Sequence, residues 1–384
     1  MNLANDGKHM DSANLILITG ATGFLGGATV VQAIKAGLTP RLLLLVRAQD
    51  PAQGMDRLQA QLKRLGAGDC ELAQLRLSQV LCGDLSALDG IAADARLQRV
   101  STVIHCAALA TFANHPALET TNVDGTLALA AMMQGRPGLR RFLYIGTAMA
   151  CGSHSASDHS IPEIANLSLA QEDHLVPYTR SKAVGERLLR QRFPQLPLVV
   201  LRPSIVVGHT TLGCTPSQSI FWVFMAWQKL GALTAAMHDR IDVVPVDWCA
   251  GAILHLALKD KLAQPVYHLS AGTQSSRSFR QIDSALAAVG MGNVCGRDYE
   301  QIEVGKIDQL LPRIKIRIPD CSPRLLMRAL KLYGEFARLN YVFCNKNLLA
   351  EGVPSAPPFT DYIGLCAVST RHIPIGEQMK WDFK

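Results

Sequence analysis

The chain has 384 residues, 48% of them hydrophobic and only 18% charged, enough to bury a core without disulfide or metal staples and to build two domains, or one large domain with an appendage. That composition excludes disorder, collagen and a coiled coil as the main architecture. The formal charge is a mild +7, and seven basic against two acidic residues between Leu311 and Asn340 supply most of it; so local an excess suits an anionic ligand or carrier and argues against a nucleic-acid surface.

The first fourteen residues are polar, carry no apolar run of the secretory kind and read as a disordered tail. Short apolar runs follow at Leu15–Ile18, Leu42–Val46, Val80–Cys82, Val103–Cys106, Phe142–Ile145 and Leu198–Leu201. None alternates polar with apolar, so each is expected to be a strand buried on both faces, as in a parallel sheet under helices. Helical patterns lie between them at Gly26–Ala36, Gln53–Leu65, Thr121–Met133 and Tyr178–Gln191. The alternation predicts an α/β, doubly wound, Rossmann-type domain over residues 15–208. From 209 to 384 the pattern loosens into a smaller, mostly helical cap, interleaved with last sheet elements at 243–270. The longest uncharged stretch, Pro203–Gln228, contains His, Thr, Ser, Gln, Pro and Gly and is a poor membrane span. Ten cysteines without a C-x-x-C pair, scattered through apolar runs, are expected to be buried thiols in a reducing, cytoplasmic setting.

Thr19-Gly20-Ala21-Thr22-Gly23-Phe24-Leu25-Gly26 follows the first strand and opens a helix. Gly20 allows a sharp turn, Gly23 lets the backbone approach a pyrophosphate, and Gly26 lets the helix pack close. Phosphates would then sit on the free N–H groups of a positive helix end. A dinucleotide site for NAD usually carries an acid at the end of the second strand; here that strand ends in Arg47. A guanidinium can grip a 2′-phosphate that an acid would repel, so NADP(H) is expected, with Arg57 assisting and Asp50 the alternative that would favour NAD. Asp84 at the third strand end can accept from an adenine amine, with Leu85 against the ring. Ala107 and Ala108 after the fourth run are small enough for a dinucleotide to lie flat.

Tyr178 and Lys182 stand at i and i+4 on one helix face. An ammonium there is expected to lower the phenol pKa, letting Tyr178 exchange a proton with a substrate oxygen. Lys182 can also hold a nicotinamide ribose. Thr147, at the end of the preceding strand, offers a hydroxyl to the same oxygen, or caps the following turn.

Together these segments resemble the extended short-chain dehydrogenase/reductase superfamily, and within it the male sterility type of NAD-binding domain found in fatty acyl-CoA reductases and thioester reductase domains. The matching text is LITGATGFLGG, LLVRAQD, GDL, VIHCAALATF, NVDGT, YTRSKAVGERLL, LRPSIVVG and IDVVPVDWCAGAILH, over residues 15–272, with a looser likeness through Phe343–Leu348. The resemblance implies Thr147, Tyr178 and Lys182 as catalytic residues. It implies Gly20, Gly23, Gly26, Arg47, Asp84 and Lys182 as cofactor contacts, with Pro203, Ser204 and Ile205 beside the nicotinamide. Gly146-Thr147 stands where the family usually has Ser-Thr. The implied reaction is NADPH-dependent reduction of an acyl thioester, on CoA or an acyl carrier protein, to aldehyde or alcohol. No adenylation or carrier segment is read in the chain, so the thioester is expected from elsewhere. Other substrates on this scaffold, such as hydroxysteroids or nucleotide sugars, and a non-catalytic NADP-binding role stay open.

His154, His159 and His174, with Asp158 and Asp173, have no compact metal-ligand spacing and read as solvated. Phe221–Trp227 reads equally as cap core or as an acyl contact. Ser322-Pro323 opens an amphipathic helix, Arg324–Leu339, whose basic face is a solvated surface or a dock for an acidic carrier, a CoA phosphate or a membrane surface.

Overall fold

The computed structural model describes residues 14–153, 160–163, 167–217, 219–291 and 298–382. The expected tail, apart from Asn14, and the loop residues His154, Asp158 and His159 lie outside them. The apolar runs form β1 (Leu15–Thr19), β2 (Leu42–Val46), β3 (Val80–Cys82), β4 (Val100–His105), β5 (Arg141–Ile145), β6 (Leu198–Pro203) and β7 (Val266–Leu269). They build one parallel sheet in the order β3-β2-β1-β4-β5-β6-β7. Alternate residues of each strand enter different cores, which is why no run alternates in polarity. Ile16, Ile18, Leu42, Leu44 and Ile104 face one layer; Leu15, Leu17, Leu43, Leu45 and Val103 face the other.

The helices of nine or more residues among those described are, in chain order, α1 (Phe24–Lys35), α2 (Pro51–Arg64), α3 (Gly125–Met133), α4 (Pro177–Arg192), α5 (Phe221–Leu230), α6 (Val246–Leu258), α7 (Phe279–Ala288), α8 (Pro323–Arg338) and α9 (Phe359–Thr370). Residues of α1, α2 and α6 share the first core, and residues of α3 and α4 share the second. A third core joins α5, α7, α8 and α9 into the cap. Among the described residues no helix is long and apolar enough to cross a membrane.

One ion pair fixes α4 to the sheet. Arg202 of β6 donates from Nε and Nη2 to the two oxygens of Glu186, each at 2.9 Å, with both side chains fully buried. Glu186 lies one turn beyond Lys182, so the fork sets the rotation of the helix that carries Tyr178.

Three buried carboxylates strap the C-terminal segment onto the last strand. Asp242 accepts the backbone N–H groups of Ala271, Gly272 and Phe343 at 2.7, 3.2 and 3.1 Å. Burial nevertheless pushes its carboxyl up to about 6. Glu163 accepts from the N–H groups of His268 and Asn347 at 3.0 and 2.6 Å. Glu351 takes Tyr267 Oη and Lys259 Nζ, both at 2.6 Å. Residues 343–348, a loose likeness in the sequence, thus close the β7 edge, which would otherwise expose an unpaired strand.

Candidate active site

Gly20 leaves β1 with φ +69, and a Cβ there would stand 2.7 Å from Ala107 N. The turn therefore abuts the end of β4, at the point where the strand order reverses and a crevice opens. Gly26 is tighter still: a Cβ would lie 2.2 Å from the Gly20 carbonyl oxygen. The sequence assigns Gly26 to helix–sheet packing; its closest neighbour is instead the loop itself. Gly23 is exposed and precedes α1 without a side-chain cap, and the first turn holds no acid. Thr22, Phe24 and Leu25 are half-buried around it. A cradle that a Cβ would fill, open at a positive helix end, fits a pyrophosphate.

At the end of β2, Arg57 Nη1 donates to the Arg47 carbonyl. Arg47 Nε lies 3.8 Å from Asp84 Oδ2 at the end of β3, so these three predicted contacts converge at one edge of the crevice. Asp50 does not join them; its carboxylate caps α2, accepting from Gln53 N at 2.8 Å. The Ser86 backbone N–H holds the Asp84 carboxyl low, against burial and with help from the Ser86 hydroxyl and Arg47. Leu85 is placed differently from expectation: its side chain is buried in the core against Gly125, rather than offered to a ring. Ala107 and Ala108 are half-buried at the β4 end. Pro203 ends β6, Ser204 N donates to Leu269 O at 3.0 Å, and Ile205 registers with Val243.

Lys182 is buried, with its ammonium 4.6 Å from the centre of the Tyr144 ring, whose hydroxyl donates to the Lys182 carbonyl at 3.1 Å. Tyr178, one turn earlier, is half-buried. Thr147 follows β5 and its Oγ accepts from Met149 N at 3.3 Å, capping a short 3-10 turn that packs on α4. A hydroxyl that accepts there keeps its own proton for another acceptor. Burial overrides the expected effect of Lys182 on Tyr178: the phenol is pushed up to about 12, and the Lys182 ammonium is itself pushed down to about 8, partly restored by Cys106. Desolvation penalises the charged form of both. Tyr178 is thus a neutral hydrogen-bond donor through the neutral pH range, and no tyrosinate stands ready.

Residues 18–253, more than half the chain, match the family profile described as male sterility protein. The chain belongs to that family. The aldehyde reductase lnaA of Aspergillus flavus is 27% identical over 349 residues, which are 85% of this chain and 32% of that protein. The male sterility chain spans roughly a quarter to a third of the first curated relatives it matches. The terminal R domain from the myxalamid PKS-NRPS pathway superposes with a TM-score of 0.71 at 21% identity, covering 95% of this chain and 92% of that one. A thiolation-reductase di-domain from an archaeal non-ribosomal peptide synthetase gives 0.65 at 21%, covering 95% and 76%. At such identities these structures establish the fold alone, one shared with reductase domains.

Six residues that the sequence leaves without a role, Thr19, His105, Thr126, Asn122, Tyr144 and Phe112, surround the candidate site of this male sterility family chain. Thr126 gives its one hydroxyl proton to the Asn122 carbonyl at 2.8 Å, so it accepts from His105 Nε2 at 2.9 Å. A neutral imidazole protonated on Nε2 accepts at Nδ1 from Thr19 Oγ, 2.7 Å away, and Thr19 Oγ in turn accepts from Ala107 N–H at 3.1 Å. Burial, with Lys182 nearby, pushes the imidazole down to about 3, so it stays neutral. Asn122 sits in a π turn, Thr120–Asp124, just before α3; its amide donates to Ser181 Oγ of α4 at 3.0 Å and to Leu109 O at 3.1 Å. One directed chain of hydrogen bonds therefore runs from the glycine cradle to the helix that carries Tyr178 and Lys182. In the sequence His105 reads as core and Asn122 as part of a family match, and only their pairing reveals the link. Tyr144, under Lys182, looks like an ordinary strand aromatic. Phe112, with its ring centre 6.3 Å from that of Tyr178, lies in a loop with no periodicity to mark it. Of the loop histidines, His174 is engaged with Thr179 Oγ and Ser168 O, both at 2.9 Å. Among the described residues no cluster of three or more metal-ligating side chains occurs.

The buried ammonium has a measurable cost. The folded value of Lys182, about 8, lies below its ordinary 10.5, so folding disfavours the charge. The penalty is complete below about pH 8 and disappears between about pH 8 and 10.5. Lys182→Met is therefore expected to raise the stability of the cofactor-free protein by roughly 1–3 kcal/mol at pH 7. The gain should fade as the pH approaches 10, which denaturant titrations at several pH values will read; a destabilised variant at pH 7 would refute it.

Proposed function

We propose that this male sterility family domain is an NADPH-dependent reductase of acyl groups held as thioesters on a phosphopantetheine thiol, the arm shared by CoA and carrier proteins. The observation that carries the reading is the buried Lys182 ammonium over the Tyr144 ring of β5, one helical turn from Tyr178 and within electrostatic reach of Cys106, whose backbone abuts the Gly20 turn. When bound, the reduced nicotinamide supplies a hydride to the substrate carbonyl carbon. Tyr178 and Thr147 donate hydrogen bonds to the oxygen as it gains charge, and Tyr178 passes it a proton. Lys182 holds the ribose and compensates the charge left on the phenol. The resulting hemithioacetal then breaks its C–S bond, releasing thiol and aldehyde. The aldehyde is again a carbonyl for the same three residues, and a second NADPH, bound after the spent coenzyme leaves, would reduce it to the alcohol; the relative named aldehyde reductase supports that second step.

Preference for NADPH rests on Arg47 and Arg57 at the β2 end, and on Asp50 being occupied as a helix cap. Arg47→Glu is expected to raise KM for NADPH roughly 10–100-fold and to leave NADH nearly unchanged, because a charge-assisted fork is replaced by a repelling acid. Equal effects on both coenzymes would remove the assignment. A carrier-bound substrate suits the basic face of α8, where Arg324 and Arg328 are exposed. Among the described residues no cysteine is in a disulfide, and Cys70 is exposed, unlike the buried thiols expected. The deciding experiment measures NADPH oxidation against acyl-CoAs, acyl carrier proteins, acyl-pantetheines, aldehydes and steroids, with the products trapped. Turnover confined to non-thioester substrates would overturn the thioester reading.

A further inference from the structure

Lys182 carries a positive charge into the interior, where it is 2% exposed. The one carboxylate of its own helix, Glu186, is engaged by Arg202 and by Arg190. What lies under the ammonium is a ring. Lys182 Nζ stands 4.6 Å from the centre of Tyr144, itself fully buried in β5. That is inside the roughly 6 Å over which the negative face of an aromatic ring attracts a cation, and the attraction is stronger where water is excluded. The edge of the ring is fixed too. Tyr144 Oη donates to the Lys182 carbonyl at 3.1 Å, and α4 has a glycine where the two meet: a Cβ on Gly185 would lie 2.8 Å from that hydroxyl oxygen. Glycine weakens a helix interior, so its place at this contact is explained by the close approach of the ring. Burial, with Glu186 and Tyr178 nearby, pushes the Tyr144 phenol well up, so the ring stays neutral.

We propose that Tyr144 is a positioning residue: its ring face holds the Lys182 ammonium in place and keeps it charged, so that the lysine can meet the nicotinamide ribose and Tyr178. The proposal rests on the reductase reading for its effect on turnover, and on the ring contact alone for its effect on Lys182. Cys106 and His105 face the ammonium from the β4 end; burial pushes the thiol up to about 12 and the imidazole down to about 3, so both are neutral near pH 7. Tyr178, on the same helix, is neutral as well. The ring is therefore the electron-rich surface that offsets part of the cost of burying the charge.

The test varies the charge distribution of the ring at nearly constant size. Tyr144→Phe keeps the face and loses only the hydroxyl. Tyr144→Phe with one, two or three ring fluorines drains the face in steps, and Tyr144→Leu removes it. The alkaline limb of kcat/KM for a thioester, near pH 8 in the wild type, should stay within about 0.3 of a pH unit in Tyr144→Phe. It should fall with each fluorine, to about one pH unit lower with three, and by a similar amount in Tyr144→Leu. A ring that only packs would not make the limb follow the fluorine count. A second readout needs no turnover. In denaturant titrations the stability gain from Lys182→Met fades above about pH 8. In the trifluorinated background the fading should begin about one pH unit lower, because the ammonium there loses its proton sooner. Should Tyr144→Leu fail to fold, the fluorinated proteins decide. If thioesters are reduced but every variant keeps the wild-type limb, Tyr144 only packs and the reductase reading survives. If no thioester is reduced, the reductase reading fails and the denaturant titrations decide alone: fading that starts lower with fluorination supports the proposal, and unchanged fading overturns it.

Discussion

Tyr178→Phe is expected to lower turnover roughly 10²–10⁴-fold while NADPH affinity changes by no more than a few-fold. The substitution removes one hydroxyl from a half-buried ring at the start of α4, and the ring's contact with Phe112 stays. What is lost is the proton that must reach the substrate oxygen as carbon is reduced. Burial keeps the phenol near 12 and the neighbouring ammonium near 8. The alkaline limb of kcat/KM in the wild type should therefore appear near pH 8 and report Lys182 losing its charge, and the residual activity of the variant should retain that limb. Single-turnover rates with bound NADPH separate this chemical loss from any change in coenzyme binding. A variant within threefold of wild type would mean that another group supplies the proton.

Gly26→Ala should be nearly as damaging, by a different route. The added carbon meets the Gly20 carbonyl at 2.2 Å, and a backbone carbonyl cannot turn aside as a long side chain can. Either α1 moves off the sheet or the cradle opens, and both displace the first-turn N–H groups from a pyrophosphate. Overpacking of this kind costs about 1–3 kcal/mol of stability, and NADPH affinity should fall at least ~30-fold as the helix-end contacts with phosphate are lost. Gly251→Ala in α6 is the control. Nothing lies within 4 Å of its added carbon, so a stability gain of up to about 1 kcal/mol is expected there from helix propensity alone. Thermal melts with and without NADPH read both effects. Undiminished coenzyme binding by Gly26→Ala would show that the loop is not the phosphate cradle.

The two variants probe opposite ends of one connected structure. His105, Thr126 and Asn122 tie the turn that Gly26 closes to the helix that carries Tyr178. Arg202 and Glu186 fix that helix to β6. The site is thus held by buried polar groups whose partners are all internal, an arrangement that keeps donor positions constant through turnover.

The order of strands and helices through β6, the glycine turn, and the Tyr178/Lys182 pair were readable from the residues alone. Each is a local property: a buried strand must be apolar throughout, a φ of +69 needs glycine, and i,i+4 spacing puts two side chains on one helix face. Tertiary structure decided whatever depends on partners distant in sequence. Leu85 went into the core because Gly125, at the start of α3, packs against it, and Asp50 went to a helix cap because α2 begins there. Burial among those neighbours set the charges of Tyr178 and Lys182, and the sheet brought His105 within reach of Thr19 and Thr126. A cavity in the cap exists only because α5, α7 and α8 come together, with Tyr333 and Phe336 of α8 reaching Phe112. Local geometry is written in spacing; desolvation and long-range contact arise only when the chain closes on itself.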